Sequence, residues 1–162
     1  MPLADDTPRP QIAPPSEADL MRYCEFQYAF VQFITEHLVD CRKHFDGNLD
    51  DVLILAILGQ SRIRAVLTAS PGSTAAPGAL GASRLADVSG IPRETVRRRL
   101  CALGHRGWIT RVDDGSWCIA GTAGESPVRR DLAELDRRGM ARMLRFHADL
   151  SRLLARWETP PG

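Results

Sequence analysis

Arg93, Arg97, Arg98 and Arg99 stand within seven residues of one another, with Glu94 and Thr95 among them. A guanidinium presents a planar fork of N–H donors. The fork matches two acceptors side by side, as on the O6 and N7 edge of guanine or on a phosphate. A carboxylate such as Glu94 accepts, for instance from the N4 amino group of cytosine, and a threonine reaches a phosphate or a thymine methyl. Arg93, Glu94, Arg97 and Arg98 lead the exposed face that a helix over this stretch presents, while Arg99 is a candidate to point back toward the scaffold. Thr95 and, in a following hairpin, Arg111 are their neighbours.

Such side chains act only if something braces them from behind. Leu85, Val88, Ile91, Val96, Leu100 and Leu103 supply an apolar brace. Ala86 is small enough for two helices to cross, Gly90 suits the turn between them, and Pro92 suits the first turn of the second helix. The spacing predicts a helix–turn–helix with its second helix over about 92–104. Gly107 then breaks the pattern. Trp108–Val112 and Ser116–Ile119 are short β-prone runs around Asp113-Asp114-Gly115, a strong hairpin signal. A hairpin directly after a helix–turn–helix is the wing of a winged helix, predicted over 82–120.

Leu85 to Arg98 reads Leu-Ala-x-x-x-Gly-x-x-Arg-Glu-Thr-Val-x-Arg, which resembles the helix–turn–helix of Crp/Fnr-type bacterial transcription regulators. The resemblance implies base-reading roles for Arg93, Glu94 and Arg98. It covers only about 82–119. The β-barrel that precedes this module in that family has no counterpart, because residues 1–81 read as helices, so its nucleotide ligand is not carried over. The order of elements is similar to that of MarR-type dimeric regulators, a resemblance of architecture alone.

The remaining elements frame this module. Residues 1–15, rich in Pro and Asp, read as a disordered tail. Ser16 followed by Glu17 and Asp19 resembles a helix start. A helix to about His44 carries an apolar stripe and a second, aromatic one of Tyr23, Phe26, Phe30 and Phe33. Gly47 suits its stop, and a second helix is predicted over about 49–68. This helical pair, 16–69, is expected to dimerise or sense. Residues 70–81 read as a flexible loop. A last helix over 127–158 has Val128, Leu132, Leu135, Gly139, Met143, Phe146, Leu150, Leu153 and Trp157 at steps of three and four, with Gly139 as its weak point. The expected fold class is mainly α with a small β-hairpin: a winged helix–turn–helix flanked by long dimerisation helices.

Charge narrows the function. Residues 1–81 hold six basic against ten acidic residues, residues 82–111 seven against two, and residues 112–162 eight of each. One basic block in a chain of net charge +1 points to a local polyanion site. Nothing approaches the roughly 18 apolar residues of a membrane span. No signal peptide is evident and the four cysteines form no CxxC pair, so reduced thiols in a cytoplasmic protein are expected. His37, Cys41 and His44 share a helix face at a spacing that suits Zn or Cu, but core packing and helix-end capping are preferred, with no metal expected. Cys101 and Cys118 read as small core residues. The aromatic face, including Tyr28, is read as interface in preference to an effector pocket. No nucleophile–base pair, phosphate-binding glycine loop or paired catalytic carboxylates stand out, so neither enzyme activity nor a cofactor is expected. The expected function is a homodimeric, sequence-specific DNA-binding transcription regulator with a palindromic operator. Its alternative is a winged-helix protein-interaction module.

Overall fold

Two helices of this chain start at short polar side chains, Ser16 and Asn48. At Ser16 the hydroxyl accepts the Asp19 N–H at 3.1 Å and the Asp19 carboxylate accepts the Ser16 N–H at 3.2 Å. This reciprocal cap starts α1, Glu17–His44. Gly47, at φ 85°, donates its N–H to the Arg42 carbonyl and closes that helix. Asn48 Oδ1 accepts the Asp51 N–H at 3.3 Å and starts α2, Leu49–Thr68. The structure, a computed structural model, describes residues 16–68, 78–122 and 125–158. The expected tail, 1–15, and most of the expected loop lie outside the described residues.

The described residues form two compact units, one within residues 16–34 and 143–158 and one within residues 35–142. In the second unit, α3 (Ala82–Ser89) and α4 (Arg93–His105) are joined by Gly90 in the left-handed region, φ 71°. The Ser89 hydroxyl donates to the Leu85 carbonyl and accepts the Ile91 N–H, which shapes the turn. Pro92 sits at the N-cap of α4, one step before the helical position expected for it. β1 (Ile109–Arg111) and β2 (Trp117–Ile119) pair antiparallel with Thr110 opposite Cys118. The Asp114 carboxylate accepts the Ser116 N–H at 2.8 Å, and Gly115 takes φ 83° to close the hairpin.

Leu80, at the described end of the span read as a loop, is tied to the hairpin. It exchanges two backbone hydrogen bonds, both 2.9 Å, with Trp117, an isolated bridge beside the three paired positions of the hairpin. One residue of bridge has no period for a sequence to display. Gly78, at φ 76°, lies so close to α2 that a Cβ there would stand 2.4 Å from the Arg62 backbone nitrogen.

The core of this unit joins Ile54, Leu55 and Leu58 of α2 to Leu85, Ile91, Val96, Leu100 and Leu103. Trp108 and Ile109 of the hairpin and Phe45 complete it, with the Phe45 and Trp108 rings edge to face at 5.8 Å. Val88, expected in the brace, is 52% exposed. The inward side of α3 is Leu85 with half-buried Ala82, Ala86 and Ser89, and Val88 falls past its edge. Cys101, expected in the core, is exposed, because Leu100 and Leu103 take the inward positions of α4; Cys118 is buried.

The last helix is broken, but not at Gly139. α5 (Pro127–Asp131) ends at Leu132, and α6 runs unbroken through Ala133–Glu158. The Trp108 indole N–H donates to the Asp131 carboxylate at 2.8 Å and fixes that end of α5. Gly139 lies against the His37 ring, where a Cβ would meet Cε1 at 3.4 Å, an ordinary contact distance.

In the first unit, Phe33 of α1 stacks on Phe146 of α6 at 5.2 Å, and Phe30 meets the same ring at 6.2 Å. Leu153 is buried and Arg156 pairs with Glu25 at 2.8 Å. Leu20, Met21, Tyr23, Tyr28, Phe30 and Val31 of α1, with Met143, Leu144 and Leu154 of α6, remain exposed. The molecule is mainly helical with one small antiparallel sheet, and among the described residues no helix is long and apolar enough to cross a membrane.

Candidate nucleic-acid interface

Val96, Leu100 and Leu103 bury one side of α4, and at 100° per residue this decides where each arginine goes. Arg93, Glu94, Arg97 and Arg98 are exposed, and Thr95 is half-buried. Arg99 is the exception. Its guanidinium turns back to α2, where Nε donates to Asp51 Oδ1 at 2.7 Å and Nη2 donates to Oδ2. Arg99 thus belongs to the scaffold, and the outward set is narrowed to Arg93, Arg97 and Arg98.

No carboxylate neutralises these three among the described residues, and Glu94 likewise forms no ion pair there. The arginines of α6 differ. Arg137 pairs with Glu134, Arg138 with Glu134 and Asp40, Arg142 with Asp40 and Glu36, and Arg152 with Asp149. Their neighbours feel it: the Arg142 guanidinium holds the Asp40 carboxyl below its ordinary range, and Arg137 does the same for Glu134. The basic charge of α6 is internally balanced, whereas that of α4 faces outward unbalanced.

In the hairpin, Arg111 is exposed and its Nε donates to the Gly115 carbonyl at 3.3 Å. Arg106 lies over the Trp108 ring at 5.0 Å and faces Asp46 at 3.7 Å, so it packs against its own chain. No family model, curated protein or solved structure matches the chain. The outward arginines are therefore interpreted from their chemistry alone.

His37 and Cys41 meet, Nε2 to Sγ at 3.6 Å, while His44 sits edge-on to Phe45. Among the described residues no three His, Cys, Asp or Glu side chains converge on a metal position. Burial and the Asp40 charge push the Cys41 thiol up, and burial does the same at Cys118, so neither is activated as a thiolate.

The sequence reading missed Asp51 as the partner of Arg99, Leu80 as part of the hairpin sheet, and Arg62. Arg62 alone left a signal: it stands in line with Val52, Leu55, Gly59 and Val66 on one otherwise apolar helix face.

Proposed function

We propose that the chain is a winged helix–turn–helix transcription regulator that binds double-stranded DNA sequence-selectively as a homodimer. The observation that carries this reading is the outward row of Arg93, Arg97 and Arg98, without carboxylate partners among the described residues, on a helix braced by Val96, Leu100 and Leu103. A braced helix of this kind fits a major groove. Arg93, Glu94 and Arg98 read base edges, Arg97 and Thr95 meet the adjacent backbone, and Arg111 takes a phosphate or the minor groove beside the hairpin.

The exposed apolar residues of the first unit, Leu20, Tyr28 and Val31 among them, support a second copy as partner. Two-fold symmetry then places two copies of α4 roughly 34 Å apart, about one turn of DNA. Selection of bound duplexes from a random pool tests the proposal. Enrichment of a palindrome with half-sites about ten base pairs apart is expected. Retention without any sequence enrichment would refute base reading, and no retention at all would leave a protein-binding module in its place.

A further inference from the structure

One face of α2 presents Val52, Leu55, Gly59, Arg62 and Val66 to a cavity of about 640 Å³ within the second unit. Other walls come from Phe45, Val128, Leu132 and Leu135. The size falls in the range of small-molecule sites, and the walls are mostly apolar with few polar groups.

Those polar groups define what fits. Arg62 is only 9% exposed, and its guanidinium donates to the Ile119 carbonyl at 3.2 Å and the Gly121 carbonyl at 2.8 Å. Among the described residues no carboxylate pairs with it. Ser126 is 9% exposed, borders the same cavity, and its hydroxyl has no hydrogen-bond partner among the described residues. Arg129 and Asp136 at the border offset each other in formal charge, and His37 adds no negative charge in either protonation state. Arg62 therefore leaves the cavity cationic. A buried cation held only by carbonyl dipoles is costly, and a carboxylate supplies the missing charge.

We infer that this cavity binds a small aliphatic monocarboxylate. Its head group meets Arg62 and Ser126, and its chain covers Phe45, Leu55, Val128 and Leu132. Arg62 also holds the carbonyls at the end of β2, so a bound carboxylate competes for its protons and reaches the hairpin through them. Binding requires no DNA, so this inference stands or fails apart from the proposed function.

Isothermal titration of the full chain with decanoate, 1-decanol and decylamine, each below its aggregation threshold, tests it. Decanoate is expected to bind at one site, 1-decanol about tenfold more weakly, and decylamine not at all. A Cβ at Gly59 meets nothing within 4 Å, so Gly59→Leu grows into open cavity. That variant is expected to melt cooperatively and lose decanoate binding, and Ser126→Ala to weaken it several-fold. Where Gly59→Leu does not melt cooperatively, Ala56→Leu on the same wall replaces it. Equal binding of all three probes, no decanoate binding, or undiminished binding to the filled-cavity variant overturns the inference.

Discussion

Arg99 and Asp51, 48 residues apart in sequence, form a two-pronged ion pair that ties α4 to the start of α2. The Asp51 side chain is 2% exposed, while that of Arg99 retains about a fifth of its surface. The Asp51 carboxylate raises the Arg99 pKa above its usual value. This pair adds a polar tie to the apolar side of α4, where Val96, Leu100 and Leu103 already leave Arg97 and Arg98 pointing outward.

The two halves of this pair are unequal. Arg99→Ala strands a buried carboxylate and is expected to lower stability by about 3–5 kcal/mol. Asp51→Ala leaves a guanidinium that can swing into water, and is expected to cost about 2–3 kcal/mol. Urea melts of both variants check the order. Equal losses would mean that Asp51 is hydrated when unpaired.

Arg98 is exposed, so its replacement leaves the fold intact. Arg98→Ala is expected to weaken binding to the selected duplex by about 1–3 kcal/mol and relax preference at one base position. Arg111→Ala is expected to weaken all duplexes alike and reduce the salt slope by about one. Titrations at several salt concentrations, on matched and single-base variant sites, separate the two. A uniform loss for Arg98→Ala assigns that residue to phosphate.

Tyr28 is 73% exposed on α1, in the apolar face assigned to a second copy. Sedimentation at micromolar concentration is expected to show a dimer for the natural chain. Tyr28→Glu is expected to shift it to monomer with unchanged helical content. A natural chain that sediments as monomer removes the two-fold arrangement from the proposal.

The Trp108 indole N–H, with Arg130 adding to it, holds the Asp131 carboxyl below its ordinary range. A carboxyl with a depressed folded-state pKa stabilises above its unfolded value, and that contribution is lost as pH falls through the folded value. Trp108→Phe keeps the ring but removes the donor. The gap in melting temperature between the natural chain and Trp108→Phe is therefore expected at neutral pH and should narrow as pH drops through about 4 and below. A gap independent of pH would assign the difference to ring packing.

Local pattern carried far in this chain. Short polar caps at Ser16 and Asn48, the turn glycines at 47, 90 and 115, and apolar spacing marked α1, α2, α3, α4 and the hairpin to within a residue or two. Each signal acts over a few residues, so no partner from elsewhere in the chain is needed to interpret it. Three adjacent arginines at 97–99 also marked a basic face, with Arg99 the candidate to turn back toward the scaffold, but not the group that would receive it. That group is Asp51, just as the bridge at Leu80 belongs to Trp117 and the helix break at Leu132 goes with the hold of Trp108 on Asp131. Arg62 shows the same division most clearly: its place in an apolar stripe is written in the sequence, but the carbonyls of Ile119 and Gly121 that hold it arrive from 57 and 59 residues away. Pairings over such distances arise only when packing brings the elements together, because no short-range periodicity specifies them.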